Sequence, residues 1–112
     1  MLFRSVSQSR YEGDIKFDQD KAPMDLLPYE ALIEISKVLG YGAKKYKKNN
    51  WKGGINYSRL IAASLRHIHA FNSGQTEDPE TGINHMAHAA CNLMFILYYM
   101  QQDKYKEFDD RG

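Results

Sequence analysis

At 112 residues and a formal net charge of +1, the chain has room for one modest core and no global field to hold it on polymeric nucleic acid or an anionic membrane. Ordinary apolar and charged fractions, together with 8 tyrosines, exclude a disordered tail. The single cysteine, Cys91, rules out an internal disulfide or a four-thiolate metal site and fits a reducing, cytoplasmic setting.

In chain order, residues 1–27 read as an irregular N-terminal arm, in which only Asp14 to Phe17 alternates enough for a short strand. Pro28 suits the first turn of a helix, and Leu32, Ile35, Val38 and Leu39 recur at helical spacing, which predicts a helix over 28–39. Gly40 and Gly42 can end it, although a further turn through Lys45 is compatible with the sequence. Asn49, Asn50 and the pair Gly53-Gly54 then force a loop. Asn56 or Ser58 can cap a second helix over 58–72, with Ile61, Leu65 and Ile68 on one face and Leu60, Ser64, His67 and Phe71 beside it. The stretch NSGQTEDPETG is a loop by composition. A third helix follows over 83–102, in which small residues at 87, 89, 90 and 91 permit close approach of a neighbour. Residues 103–112 read as a solvated tail. The fold class is therefore all-α, a small antiparallel bundle of three main helices over 28–102. The apolar run ILYYM near the end of the third helix suggests a homo-oligomer, or packing on the N-terminal arm. The longest apolar run, Leu93 to Met100, is far too short for the ~20 residues that span a bilayer, and the start MLFRSVSQSR lacks a signal-peptide core.

His85, His88 and Asn92 stand at i, i+3 and i+7, hence on one helical face, where they can converge on a ligand. Imidazole can bind a divalent metal or donate to phosphate; it can equally make ordinary hydrogen bonds between buried helices. Arg66 and His67 lie on the second helix. If that helix packs antiparallel to the third, His67 approaches His85 or His88, and Arg66 offers a fork for phosphate. An Arg66 ion pair with Asp78 or Glu80 is the alternative. Lys44, Lys45, Lys47 and Lys48 precede Asn49, Asn50 and Trp51, so that a base could stack on Trp51 beside phosphate-neutralising lysines, unless Trp51 is simply tucked into the core. Glu30 and Glu34, at i and i+4, could share a magnesium ion, or be exposed surface glutamates.

The series LLPYEAL, GAKKY, NNW, LRH and ETGINHMAHAACN resembles the phage and prophage family named for its dATP/dGTP diphosphohydrolase domain, over about residues 21–97. The ETGxxHxxHAAxN block is the specific part. The resemblance implies an all-α fold related to MazG-like nucleotide pyrophosphohydrolases, which split a nucleoside triphosphate into monophosphate and pyrophosphate with Mg²⁺ or Mn²⁺. It implies a nucleotide ligand and, for a phage protein, the host cytoplasm. The MazG-like carboxylate patterns ExxE and ExxD are not met: Glu30 and Glu34 are spaced by four, and Asn92 stands where the aspartate is sought. Two functions follow. In an enzyme, Glu30, Glu34 and Asp78 hold the metal, Glu80, His85 and His88 take part in catalysis, and Arg66 and Lys45 neutralise phosphate charge. In a metal-free sponge, Lys45, Asn50, Trp51, Arg66, His67, His85, His88 and Asn92 clamp a nucleotide signal without cleaving it.

Overall fold

The structure, a computed structural model, describes residues 21–112. The short strand expected at Asp14 to Phe17 lies outside the described residues. A 3₁₀ turn at Met24–Leu26 leads into α1 (Tyr29–Lys45), a second at Asn50–Gly53 into α2 (Tyr57–Asn72); α3 (His85–Met100) and a 3₁₀ helix at Asp103–Phe108 complete the chain. The described residues form an all-α bundle, with an isolated Glu77–Asn84 bridge in place of any sheet. No helix among them is long and apolar enough to cross a membrane.

Helix α1 continues through Gly40 and Gly42 to Lys45. A glycine costs about 1 kcal/mol in a helix interior, which is too little to stop a helix whose Ile35, Val38 and Leu39 are held against the core. The end of α2 meets the start of α3 through His67 and His85, while Trp51, just before α2, stacks on Phe95 near the end of α3. The two helices are therefore antiparallel. Ala87, Ala89 and Cys91 are buried between them and their neighbours, as expected of small residues at a close crossing. Burial raises the Cys91 thiol to a pKa of about 12, which makes it inert.

Two features go beyond or against the sequence reading. Helix α2 turns its Leu60, Ser64 and His67 side inward and leaves Ile61, Leu65 and Ile68 exposed. The sequence set the two faces side by side without choosing between them; the small Ser64 and the pairing of His67 with α3 select this one. Second, residues 103–108 are not a solvated tail. Tyr105 is buried, Phe108 packs on the core, and the Tyr105 hydroxyl donates to the Lys52 carbonyl at 2.7 Å. Gly54, at φ 103°, lies so close to the Phe108 ring that any Cβ there would overlap it.

The cap of α2 also comes from the end of the chain. Asn56 makes no side-chain cap bond; the Asp110 carboxylate instead accepts from the Ser58 backbone N–H at 3.0 Å and from its hydroxyl at 2.5 Å. At the end of α3, Tyr99 is covered by this same C-terminal segment, whereas Leu97 and Met100 remain exposed in the single chain. The covering expected over 96–100 is thus partly internal.

Candidate functional site

The loop between α2 and α3 is built around one carboxylate. Asp78 Oδ1 accepts from the backbone N–H groups of Glu80 at 2.7 Å and Thr81 at 3.2 Å, while the Asp78 amide donates to the Ile83 carbonyl at 2.9 Å. Gly82 takes φ 73° to close the turn. Asn84 then caps α3 by accepting from Met86 N–H at 2.7 Å. Burial works against the Asp78 charge, but the two amide donors outweigh it and hold the carboxyl below its usual pKa. Its second oxygen, Oδ2, faces His67 Nδ1 at 3.8 Å.

Antiparallel packing brings the histidines together. His67 Nδ1 lies 2.8 Å from His85 Nδ1, and the rings of His67 and His88 stack at 4.5 Å with 5° between planes. The expected approach of His67 to the α3 pair is therefore present. His85 is buried and its Nε2 meets Gln75 Oε1 at 2.7 Å; His88 Nε2 meets Thr81 Oγ1 at 2.7 Å. Burial lowers the pKa of both His67 and His88, so at neutral pH these rings are uncharged. The donor atoms of His67, Asp78 and His85 all lie within 4.8 Å of one another, a set able to take a divalent metal.

In front of this cluster opens a cleft of about 710 Å³ between the C-terminal half of α1, the 50–53 turn, α2, the 73–84 loop and α3. Of the nucleotide contacts expected from the sequence, Lys45, Asn50, Trp51, Arg66, His67, His88 and Asn92 all line it, whereas His85 stands behind His67. Asp78 and Glu80 line it as well. Glu30 and Glu34 do not: Glu30 is exposed on α1 and Glu34 pairs with Lys37 at 2.6 Å. Trp51 is tucked against Phe95, its ring centroid 4.6 Å away, and also lines the cleft. Among the described residues, Arg66 pairs with neither Asp78 nor Glu80. The partner of Glu80 is Lys45, at 3.2 Å, with the Tyr41 hydroxyl donating to the same oxygen at 3.0 Å.

Gln75, Thr81 and Tyr41 were not anticipated. Thr81 had a signal, lying seven residues before His88 within the ETGxxHxxH block, but Gln75 and Tyr41 had none, since their partners are set by loop closure. The Glu80 contact yields a prediction. Its two donors hold Glu80 as a carboxylate, its pKa lowered first by the Tyr41 hydrogen bond and then by Lys45, so this anion competes with any phosphate for Lys45. Glu80→Gln is expected to tighten nucleotide binding several-fold in calorimetry; weaker binding would show that Glu80 itself helps to hold the ligand.

The family model described as "dATP/dGTP diphosphohydrolase, N-terminal" matches residues 11–111. A protein of Salmonella phage PMBT28 named dATP/dGTP diphosphohydrolase is 42% identical over 86 residues, covering 77% of this chain and 29% of the relative. The chain thus spans less than a third of that relative's length. No solved structure matches the chain significantly. With nearly its whole length inside the family model, and with the ETGINHMAHAACN block and its partner LRH forming one cluster, the chain belongs to the phage-associated dATP/dGTP diphosphohydrolase N-terminal domain family.

Proposed function

We propose that the cleft binds a purine deoxynucleoside triphosphate and that the protein hydrolyses it to monophosphate and pyrophosphate with a divalent cation. The observation that carries this reading is the polarity of the cleft. His67, Asp78, Thr81 and His88 adjoin one another in its lining, with Lys45, Lys47, Lys48 and Arg66 as cations, while Trp51 stacked on Phe95, together with Val38, Leu39 and Ile55, gives it an apolar wall. His88 and Phe95 are seven residues apart on α3, roughly 10 Å at 1.5 Å per residue, which matches the reach of a nucleotide from its phosphates to its base. Asn92, one turn beyond His88 on the same face, stands where an amide can meet the sugar or the base edge. The size of the cleft is within the usual range for a small-molecule site.

The reaction adds water across the bond between the α-phosphorus and the bridging oxygen, and pyrophosphate leaves with that oxygen. Arg66 and Lys45 neutralise the phosphates and the charge that grows on the leaving group. His88, neutral and fixed by Thr81, orients a phosphate oxygen or a water at the head of the cleft. Asp78 with the imidazoles of His67 and His85 is the set that fits a cation, which when bound would polarise phosphoryl oxygens and make a bound water more acidic. The name of the phage relative supports dATP and dGTP as substrates.

The test is incubation of the whole chain with each deoxynucleoside triphosphate and a divalent metal, followed by chromatography of the products. Monophosphate and pyrophosphate from dATP or dGTP are expected. Recovery of intact nucleotide from the denatured protein would instead make it a non-catalytic sequestering protein, and absence of both binding and turnover would overturn the assignment of the cleft.

A further inference from the structure

We propose that His67, Asp78 and His85 form a site for a first-row transition-metal ion of the Mn²⁺, Co²⁺ or Zn²⁺ type, selective against Mg²⁺, with Gln75 as the positioning residue that turns His85 toward it. This rests on and sharpens the reading above, which requires a cation beside the cleft without fixing its chemistry.

The two facing imidazoles carry the argument. Two Nδ1 atoms at 2.8 Å share a single proton or a single cation, because two ring N–H groups directed at each other would clash. Gln75 decides which atom of His85 is available. The amide oxygen of Gln75, an acceptor only, lies 2.7 Å from His85 Nε2, so the ring proton resides on Nε2 and the Nδ1 lone pair points at His67. This is the usual arrangement of a metal-binding histidine, whose second nitrogen donates to an oxygen that fixes tautomer and orientation.

Asp78 completes the set. Its Oδ1 is held by the Glu80 and Thr81 amides, which leaves Oδ2 facing His67 Nδ1 at 3.8 Å. With metal–ligand bonds of about 2.0 to 2.2 Å, neighbouring donors of a tetrahedral ion lie roughly 3.4 Å apart. The His67–His85 and His67–Asp78 separations of 2.8 Å and 3.8 Å bracket that spacing, and all three donors lie within 4.8 Å of one another, so a bound ion would draw the Asp78 and His85 donors closer together. His88 is not part of the set: its ring lies parallel to that of His67, stacked on it at 4.5 Å, rather than turned toward the same point. His67 and Asp78 line the cleft, so a fourth position would open toward a bound phosphate or water, as in catalytic rather than purely structural ions.

The donor chemistry selects the ion. Mg²⁺ prefers oxygen ligands in a near-ideal octahedron and gives up its waters reluctantly, whereas two imidazoles and one carboxylate suit the borderline transition metals. The carboxylates that would have favoured Mg²⁺, Glu30 and Glu34, are outside the cleft.

The experiment uses the whole chain, stripped with a chelator and titrated without nucleotide, by calorimetry for Zn²⁺, Mn²⁺ and Mg²⁺ and by visible absorption for Co²⁺. A single site is expected, with Mg²⁺ binding at least about 100-fold weaker than Zn²⁺, and with Co²⁺ giving a nitrogen-containing ligand-field spectrum. His67→Ala, at a partly exposed position, should abolish that spectrum while circular dichroism stays unchanged. Gln75→Leu should weaken Zn²⁺ binding by about 10- to 100-fold, the usual effect of losing an outer hydrogen bond on a ligating histidine; Gln75→Glu should restore or tighten it. Equal affinity for Mg²⁺ and Zn²⁺, Co²⁺ binding that survives His67→Ala, or indifference to Gln75→Leu would each overturn the proposal. Metal binding with this profile but no turnover would leave the site standing and remove the hydrolase reading; Mg²⁺-driven turnover without it would do the reverse.

Discussion

Tyr99→Ala is expected to remove about 3 to 5 kcal/mol of folding stability, the range for deleting a large aromatic side chain from a packed interior. Tyr99 is 1% exposed and lies 4.6 Å from the Tyr105 ring and 6.4 Å from Trp51 and Phe108. Its hydroxyl donates to the Trp51 carbonyl at 2.5 Å, and burial raises its pKa to about 12, so it stays a neutral donor at any ordinary pH. One side chain thus joins the end of α3, the 50–53 turn and the C-terminal 3₁₀ helix. A domain of this size has only about 5 to 15 kcal/mol in total. The loss should also free the C-terminal segment, and with it the Asp110 cap of α2. Tyr99→Phe isolates the hydroxyl: it keeps the ring and should cost about 1 to 2 kcal/mol for an orphaned carbonyl. Urea unfolding of the two variants measures both values, and a Tyr99→Ala loss below about 1 kcal/mol would mean that the C-terminal segment is not part of the core.

The helices and the histidine cluster were legible for one reason, that both are consequences of the 3.6-residue period. Periodicity placed α2 and α3 to within two residues, and the same period put His88 and Asn92 on one face and, with antiparallel packing, set His67 opposite them. Everything that depended on which face turns inward was less legible. The stripe Ile61, Leu65, Ile68 is the more apolar side of α2, yet Leu60 and Ser64 are the buried ones, because close approach to α3 rewards small side chains and a shared polar cluster over bulk hydrophobicity. The C-terminal segment KYKEF looks solvated by composition, since its two anchors, Tyr105 and Phe108, sit among charges and too few turns are present for a period to emerge. Glu30 and Glu34 looked suitable for a metal through spacing alone; the length of α1 places them away from the cleft. Asp78 was recognisable as an acid before a helix, but the division of its two oxygens between loop and histidine is a product of the turn at Gly82, which leaves no mark in composition.

Arg66→Ala is expected to weaken nucleotide binding by about 2 kcal/mol, roughly 30-fold, as befits the loss of one or more charge-assisted hydrogen bonds to phosphate. The geometry of its donors singles out this residue among the cations of the cleft. His67 and His88 have pKa values below the usual imidazole range, chiefly through burial, and so contribute donors but no charge at neutral pH. Asp78 adds a negative charge, and Lys45 is already engaged by Glu80. Among the cleft-lining cations without a carboxylate partner in the described residues, Lys47, Lys48 and Arg66, only Arg66 carries a guanidinium. Its planar fork can bind two phosphate oxygens at once, which a lysine cannot, so Arg66→Lys should recover only part of the affinity. The histidines separate phosphate binding from metal ligation by pH. A phosphate beside His88 favours the imidazolium, so affinity that rests on this ring should grow as the pH falls from 8 to 6, and His88→Ala should cost more at pH 6. A metal held by His67 requires the neutral ring, which its lowered pKa favours, so that contribution should not grow as the pH falls. Calorimetry with dATP and dGTP at both pH values, with and without metal, measures the two trends. Binding by Arg66→Ala and His88→Ala equal to that of the parent, with both variants folded, would place the nucleotide elsewhere and leave the histidines as an interhelical cluster.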